Sequence, residues 1–292
     1  MMMRNLFVLA ILLATASPAA GQRALDQRYA AAASGFIRIH AIVGSVRVTG
    51  WDRDSVAVSG TVFETKQDRF EVHGGYEGSK MGFFGEGSEL KPSNLEVRVP
   101  AGSQVWVKTA SADVIVDGVT GGVDVYSVSG RLDIGGSPRE VFVESMAGAI
   151  RVAADTRTVR AKSASGDIAI VGGVTDVIAT TVSGTLTAEG GAFERGRFES
   201  VDGDIRYTGG IRRGSWLDFI NHSGAVELVL PRATSADVAL TMFEGGFEDA
   251  FGVRPAYGGN KLKGQQLSFS LGRGGAHVTV RNFKGRIILR AL

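Results

Sequence analysis

A short phrase that recurs at a nearly fixed interval between residues 121 and 208 restricts the fold of this chain more than any other feature. It consists of a Ser or Thr, two further residues and a Gly, followed by alternating aliphatic residues. The glycines are Gly130, Gly148, Gly166, Gly184 and Gly203, which follow one another at steps of 18, 18, 18 and 19 residues. A short fixed period indicates stacked units that bury their apolar faces only against neighbouring units. The sequence therefore predicts a repeat fold.

Each repeat contains two stretches of alternating apolar residues, one on either side of the glycine. Residues two apart lie on the same face of a β-strand, as Val123 and Val125 do before the glycine and Leu132 and Ile134 after it. The predicted fold is all-β, a parallel β-solenoid with two strands and about 18 residues per turn. The left-handed hexapeptide helix also has turns of this length, but it is built from six-residue units, and the aliphatic residues here show no six-residue recurrence.

The bend between the two strands has a predicted chemistry of its own. Glycine suits a positive φ at such a bend. The residues that begin each phrase are expected to form an inward ladder of hydroxyl groups that satisfies the backbone at the corner; they are Ser127, Ser145, Ser163, Thr181 and Ser200. Outward residues of neighbouring turns carry opposite charges, which favours this register over a one-residue slip. The pairs are Asp133 with Arg151, Glu144 with Lys162, and Arg206 with Glu227.

The start of the chain predicts export. Residues 1–21 read as a signal peptide, with a basic residue, an apolar stretch and small residues in order. No cysteine follows for lipid attachment, and no later segment is long and apolar enough for a transmembrane helix. The expected location is the periplasm, the cell surface or the extracellular space. The charge, 32 basic against 30 acidic residues, is well mixed and does not indicate nucleic-acid binding.

The rest of the chain divides into two predicted parts. Residues 22–94 form N-terminal β layers that begin with an Ala-rich lead, Gln22–Ala33, of frayed helical character. A glycine- and aromatic-rich excursion over 64–94 interrupts them, either as a ligand-binding insert or as a hairpin or loop that caps the stack. Residues 95–292 form the solenoid, in which 95–100 restarts the stack, as one continuous domain with 35–94.

The two ends of the stack bear on assembly, because an uncovered β-edge recruits further strands. The lead and the excursion are expected to shield one end. At the other end, Arg286 and Arg290 flank the last strand and are expected to discourage edge pairing. The prediction is a monomer or a small oligomer.

The phrases Gly44-Ser-Val-Arg-Val-Thr-Gly-Trp-Asp52 and Leu95-Glu-Val-Arg-Val-Pro-Ala101, together with the repeated Ser-x-Ser-Gly-x-Ile-x-Ile, resemble the bacterial "putative adhesin" family of β-strand-repeat domains. The resemblance covers roughly residues 35–292. It implies an exported β-solenoid at the cell envelope. It brings no catalytic residues, because the family is mostly of unknown function and a fold does not carry a function.

A search of the sequence for chemistry predicts no catalytic residue, no cofactor and no metal site. Cysteine is absent and the four histidines are scattered. The carboxylates Asp167, Asp202 and Asp204 fall near one another in the predicted stack. They could form a cluster for glycoside hydrolysis or a weak calcium site, or they could bond the backbone as ordinary turn residues do. The turn interpretation is favoured. The alternative function is a carbohydrate-active β-helix enzyme, a glycosidase or a lyase.

Exposed apolar residues are the second candidate feature. Tyr126, Phe142 and Ile178, with Ile220, fall in outward columns. A further set falls at the bends, namely Val128, Met146, Val182 and Val201. A contiguous stripe would form a binding face, unless the 64–94 excursion or a C-terminal loop covers it. The predicted function is an exported, non-catalytic adhesin or envelope scaffold that binds an unidentified envelope or extracellular partner, a polysaccharide or a protein.

Overall fold

The computed structural model describes residues 21–65, 68–84, 91–191, 193–260 and 264–292. These residues form β-strands and connecting turns, with no helix among them, so the prediction of an all-β protein is confirmed. It follows that no described helix is long and apolar enough to cross a membrane. Residues 1–20 of the predicted signal peptide, and residues 66–67 and 85–90 of the predicted excursion, lie outside the described residues.

The central repeats form twelve strands in chain order. They are β8 (Gly122–Ser127), β9 (Leu132–Gly136), β10 (Glu140–Ser145), β11 (Ile150–Ala154), β12 (Thr156–Ser163), β13 (Ile168–Val171), β14 (Val174–Thr181), β15 (Leu186–Glu189), β16 (Arg195–Asp202), β17 (Ile205–Thr208), β18 (Trp216–Ser223) and β19 (Val226–Leu230). The even-numbered strands pair in parallel as a first ladder, β8-β10-β12-β14-β16-β18. The odd-numbered strands, β9 to β19, pair in parallel as a second ladder.

The register of both ladders is the one that the repeat predicts. Val141 lies opposite Val123 and Val159 in the first ladder, and Ile168 lies opposite Ile150 and Leu186 in the second. Inward side chains of both ladders belong to one buried core. Removal of this aliphatic surface from water stabilises the stack by roughly 25 cal/mol per Å². All three predicted charge pairs lie opposite each other. Arg151 contacts Asp133 at 3.2 Å, and Arg206 contacts Glu227 at 3.5 Å.

The predicted hydroxyl ladder lies at the bend between the two ladders. The backbone N–H of Gly148 donates to Ser145 Oγ at 2.8 Å, and the N–H of Gly166 donates to Ser163 Oγ at 2.8 Å. Two later turns, which the repeat phrase does not cover, use an amide in the same role. Asn221 Nδ2 donates to the carbonyl of Gly203, and Asn282 Nδ2 to that of Gly224, both at 3.0 Å. Polar side chains thus satisfy the backbone at these bends, whereas Ser200 Oγ, the last member of the predicted ladder, is buried and forms no hydrogen bond with the described residues.

The bend glycines are required mainly for close approach rather than for a positive φ. Gly130 has a φ of +100°, as predicted, but Gly148, Gly166 and Gly184 do not adopt the left-handed region. A β-carbon on any of these three would overlap the carbonyl oxygen of the bend glycine one turn earlier. The prediction of a positive φ is therefore wrong for most turns. The physical reason for glycine is that successive bends stack backbone on backbone.

The N-terminal part forms seven strands. They are β1 (Gln22–Ala30), β2 (Phe36–Trp51), β3 (Ser55–Phe63), β4 (Arg69–Gly75), β5 (Gly78–Phe84), β6 (Ser93–Pro100) and β7 (Gln104–Asp117). The long strands β2 and β7 pair with each other along both ladders. On its other side β7 pairs with β8 in the first ladder and with β9 in the second. On the far side of β2, β5 and β4 extend the first ladder, while β6, β3 and β1 extend the second.

This arrangement corrects two predictions. The lead at Gln22–Ala33 is not helical, because β1 pairs antiparallel with β3 along its whole length. Residues 95–100 do not form the turn that restarts the stack. They belong to β6, which lies outside β2 and is antiparallel to β3, while the next turn of the stack is β7. The described part of the excursion forms the antiparallel hairpin β4–β5 and extends the first ladder at this end.

The C-terminal part forms β20 (Ala236–Asp249), β21 (Ala256–Asn260), β22 (Gly264–Leu271) and β23 (His277–Ala291). β23 is inserted between the last repeat and β20, and it pairs in parallel with β18 and β19 on one side and with β20 on the other. β22 and β21 then add as antiparallel strands. Arg286 therefore contacts Glu248 at 2.8 Å and Arg290 contacts Glu227, inside the sheet. The prediction that these arginines flank an edge strand is wrong.

Candidate functional site

The apolar residues predicted for a binding surface lie on the outward face of the first ladder. Tyr126 and Ile178 are 37% and 38% exposed, and Phe142 is partly exposed. Phe142 and Ile178 share one outward column, in which Arg160 stands between them. The Arg160 guanidinium lies over the Phe142 ring at 5.4 Å, and the rings of Tyr126 and Trp106 are 6.2 Å apart. Apolar and cationic side chains therefore alternate along this column from Phe142 to Arg197.

The predicted carboxylates lie at the bend, apart from these residues. Asp167 Oδ1 accepts a hydrogen bond from the backbone N–H of Thr185, and Asp204 Oδ1 accepts one from that of Ala225, both at 2.7 Å. Each carboxylate thus binds the backbone of the following turn. Asp167 and Asp204 lie two turns apart, with the turn of Thr185 between them. Asp202 is exposed at the end of β16, opposite Ser223. The arrangement fits turn chemistry, with the difference that the bonded backbone belongs to the next turn.

A row of exposed apolar side chains runs along the bend; we call it the apolar edge. Its predicted members, Val128, Met146, Val182 and Val201, are between 49% and 58% exposed. Two phenylalanines extend it at the C-terminal end, where the rings of Phe243 and Phe283 contact each other in a tilted arrangement with centroids 5.1 Å apart. Their exposed fractions of 46% and 44% show that the described parts of the excursion and of the C-terminal region leave the row open.

A groove with a volume of about 580 Å³ lies on the outward face of the first ladder, across β12, β14, β16, β18 and β23. Ile178 is the one predicted site residue that lines it. The charged and aromatic lining consists of Arg160, Arg195, Arg197, Arg281, Asp176, Asp218, Trp216 and His277. Sequence reasoning missed these residues because His277 and Arg281 belong to β23, whose position beside β18 is invisible in the repeat. For the remaining lining residues, the available signal was the alternation of inward and outward side chains along the first-ladder strands.

The groove contains more guanidinium groups than carboxylates. Arg195 binds Asp176 with two hydrogen bonds, Nε to Oδ1 at 2.9 Å and Nη2 to Oδ2 at 3.1 Å. This pairing raises the pKa of Arg195 above its ordinary value. Asp218 lies between two arginines, 3.9 Å from Arg197 and 3.8 Å from Arg281, which is beyond hydrogen-bond distance. Its Oδ1 atom is buried and accepts no hydrogen bond from the described residues.

Trp216 is the most exposed aromatic residue of the groove, with 62% of its surface accessible. Its indole packs against the imidazole of His277, with ring centroids 4.2 Å apart. The two residues are direct neighbours because Trp216 opens β18 and His277 opens β23 in parallel register. The packing fixes the orientation of a large apolar surface in the same outward column as Arg195.

One carboxyl group of the first-ladder face has a shifted pKa. Burial raises the pKa of Asp124, and nearby Glu140 raises it further, while the hydrogen bond from Gln104 Nε2 at 2.9 Å opposes the shift. Groups of three or more His, Cys, Asp or Glu side chains that could hold a metal ion are absent from the described part of the chain.

Residues 44–287 match the Toastrack family, DUF4097. This chain belongs to the Toastrack family. The resemblance to the "putative adhesin" family of β-strand-repeat domains is thereby confirmed, and both describe domains whose function is unknown. No curated protein sequence is significantly similar to the chain.

Solved structures resemble the Toastrack chain over most of its length at low identity. A "putative adhesin" from Parabacteroides merdae is 10% identical, with 92% of this chain and 96% of that chain covered and a TM-score of 0.48. A "putative adhesin" from Parabacteroides distasonis is 9% identical, with 92% and 97% covered and a TM-score of 0.42. A "putative lipid binding protein" from the same species is 11% identical, with 91% and 96% covered and a TM-score of 0.39.

Proposed function

We propose that this Toastrack protein is an exported, non-catalytic β-solenoid that binds a partner at the cell envelope through the outward face of its first ladder. The observation that carries the proposal is the open groove on that face, which adjoins the apolar edge through Arg281. Surfaces that combine exposed aromatic residues with arginines are typical of binding sites.

The non-catalytic part of the proposal rests on the use of the carboxylates. Asp167 and Asp204, two of the three carboxylates of the enzyme alternative, each accept a backbone hydrogen bond at 2.7 Å, and the third, Asp202, is exposed at the end of β16. A carboxylate that holds the backbone of a structural turn is poorly placed to exchange protons with a substrate. We further propose that the protein is a monomer or a small oligomer, because antiparallel strands cover both ladders at the N-terminal end and the first ladder at the C-terminal end.

The test is co-sedimentation of the purified protein with isolated cell envelopes of the source bacterium, together with immunodetection in cell fractions. We expect the protein in the envelope or the medium, and sedimentation that Ile178→Glu weakens by about tenfold or more. The matched control is Thr187→Glu, which introduces the same charge at an outward, partly exposed position of the second ladder. Circular dichroism and thermal unfolding establish that both variants fold.

Two results would overturn the proposal. One is a wild-type protein that does not sediment with envelopes. The other is an equal loss of sedimentation in Ile178→Glu and Thr187→Glu, because the binding would then not involve the first-ladder face specifically.

A further inference from the structure

We propose that the groove binds a polysaccharide that carries carboxylate groups, such as a polyuronate. This inference rests on the proposed function, since it names the chemical class that the first-ladder face takes up. Three features of the groove support it: the positions of the guanidinium groups, the hydrogen-bonding capacity that remains, and the exposed indole.

The guanidinium groups follow the axis of the stack. Arg160 and Arg197 lie in one outward column, two strands apart with Ile178 between them. Strands are spaced by about 4.8 Å, so the two residues are separated by roughly 10 Å along the stack. Arg195 lies beside Arg197 on the same strand, in the neighbouring column. Charges in such rows match a ligand with regularly repeated anionic groups along an extended chain.

Two of the arginines retain capacity for a ligand. Arg160 forms no ion pair with the described residues and rests on the ring of Phe142. Arg281 approaches Asp218 only at 3.8 Å. A guanidinium presents several N–H donors in a planar fork that fits a carboxylate with two parallel hydrogen bonds. These two residues are therefore the expected carboxylate ligands at the two sides of the groove.

Acceptors in the same groove suit hydroxyl groups. Asp218 Oδ1 is buried without a hydrogen bond from the described residues, at the floor between Arg197 and Arg281. The Asp218 side chain as a whole is 27% exposed, so a sugar hydroxyl can donate to its carboxylate while the oxygen of that hydroxyl accepts from an arginine.

Trp216 supplies the apolar contact. Its 62% exposed indole is held by His277 at 4.2 Å and lies in the column next to Arg197 and Asp218. The C–H face of a pyranose ring is flat and apolar and can pack against such an indole, while the hydroxyls at the ring edge reach the polar groups. An aromatic surface beside hydrogen-bonding groups thus matches the two-sided character of a sugar.

The composition of the groove favours a polyuronate over a nucleic acid, which also combines anionic groups with flat rings. Nucleic-acid sites neutralise a dense row of phosphates with unpaired lysines and arginines. In this groove Arg195 is bound to Asp176, and Arg197 is bound to Glu199. The remaining positive charge suits a ligand with fewer anionic groups and many hydroxyls.

The experiment is isothermal titration calorimetry of the full protein with polygalacturonate, with fully methyl-esterified polygalacturonate and with alginate. The first two share one backbone and differ only in the carboxylate charge. We expect binding to at least one polyuronate, at least tenfold weaker binding to the methyl ester of polygalacturonate if that backbone is bound, and an affinity that falls as salt rises. Arg160→Gln, Arg281→Gln and Trp216→Ala should each weaken binding about tenfold or more.

The matched control is Arg151→Gln, which removes the same charge from the outward face of the second ladder. It should leave the affinity unchanged within twofold. Unfolding temperatures of all variants show whether a loss of binding reflects a loss of the fold.

Three outcomes overturn the inference. The first is equal binding of polygalacturonate and its methyl ester. The second is tighter binding of a single-stranded oligonucleotide than of either polyuronate. The third is no binding of any polyuronate while envelope sedimentation still depends on Ile178, in which case the proposed function stands without this ligand. Absence of envelope sedimentation would instead overturn the proposed function, and cleavage of a bound polyuronate would establish the enzyme alternative.

Discussion

The outward faces of the two ladders differ although the same turns of the chain build both. The first-ladder strands β8 to β18 contain six to eight residues each, whereas the second-ladder strands β9 to β19 contain four or five. A longer strand presents an additional outward residue, since alternate residues point outward. In these turns the first face is therefore wide enough to hold a groove between columns, whereas the depression of about 410 Å³ on the second face lies among β2, β3, β6 and β7, outside the central repeats.

The outward side chains of the two faces also differ in chemistry. Both faces carry ion pairs along the stack, such as Arg195 with Asp176 on the first and Arg151 with Asp133 on the second. The first face also carries exposed Trp216 and Tyr126, and Arg160, which forms no ion pair with the described residues. Packing constrains the inward columns of both ladders equally and leaves the outward columns free to diverge. The difference shows how the outward surface of a repeat fold can vary on one side without any change in its core.

The largest expected effect tests whether the inward columns of the two ladders contribute equally to stability. Val159→Asp in the first ladder and Ile168→Asp in the second each place a carboxylate at a fully buried position. An unpaired buried charge costs several kcal/mol, which is comparable with the total stability of a domain. We expect both variants to unfold at much lower urea concentrations than the parent.

The control for this pair is Asp167→Asn, which keeps an acceptor for the Thr185 amide on the exposed side of the bend. Its free energy of unfolding should change by less than about 0.5 kcal/mol. If only one of the two inward variants were strongly destabilised, the core would not be shared equally between the ladders.

A smaller effect is expected at the bend that joins the two faces. A β-carbon in Gly166→Ala would overlap the carbonyl oxygen of Gly148, so the stacked bends must move apart. Overpacking of this kind typically costs about 1–3 kcal/mol. Gly210→Ala is the matched control, because a β-carbon there meets nothing within 4 Å. Chemical denaturation measures the free energy of unfolding of both variants. Equal stability of the two would contradict the explanation that glycine is needed at the bend because successive backbones approach closely.

The repeat sequence predicts the parts of the fold that recur and misses those that occur once. The columns around Ile168 follow from the period of 18, because each turn packs on the next. β1 escaped prediction because Leu25 is its one fully buried residue, so apolar alternation is weak there. The pairing of β18 with β23 joins Trp216 to His277 across a long stretch of chain, and no local pattern encodes it. The groove depends on that pairing, so the sequence predicts only Ile178 among the residues that line it.

The smallest expected effect contrasts one carboxyl group on each face. Burial and Glu140 raise the pKa of Asp124 on the first face, so the folded protein holds this proton to a higher pH than the unfolded chain. The group therefore lowers stability as the pH rises through its folded pKa, above the ordinary value of 3.8. Asp124→Asn should raise stability at pH 7 slightly, by no more than about 1 kcal/mol after solvent screening.

On the second face Asp133→Asn removes the ion pair with Arg151. It should lower stability at pH 7 by about 0–1 kcal/mol. Thermal unfolding between pH 3 and pH 7 measures both variants. The contrast between the faces would fail for these groups if the two substitutions changed stability in the same direction.

The position of β23 has a consequence for the order in which the molecule is completed. β20, β21 and β22 precede β23 in the chain, yet among the described residues β23 provides the hydrogen-bonded pairing that joins β20 to β18 and β19. β20 can therefore join the sheet in this arrangement only once the last strand of the chain is available. The groove shares this dependence, because His277 and Arg281, which line it, belong to β23. A chain shortened before β23 would lose both the closing strand of the sheet and one side of the groove.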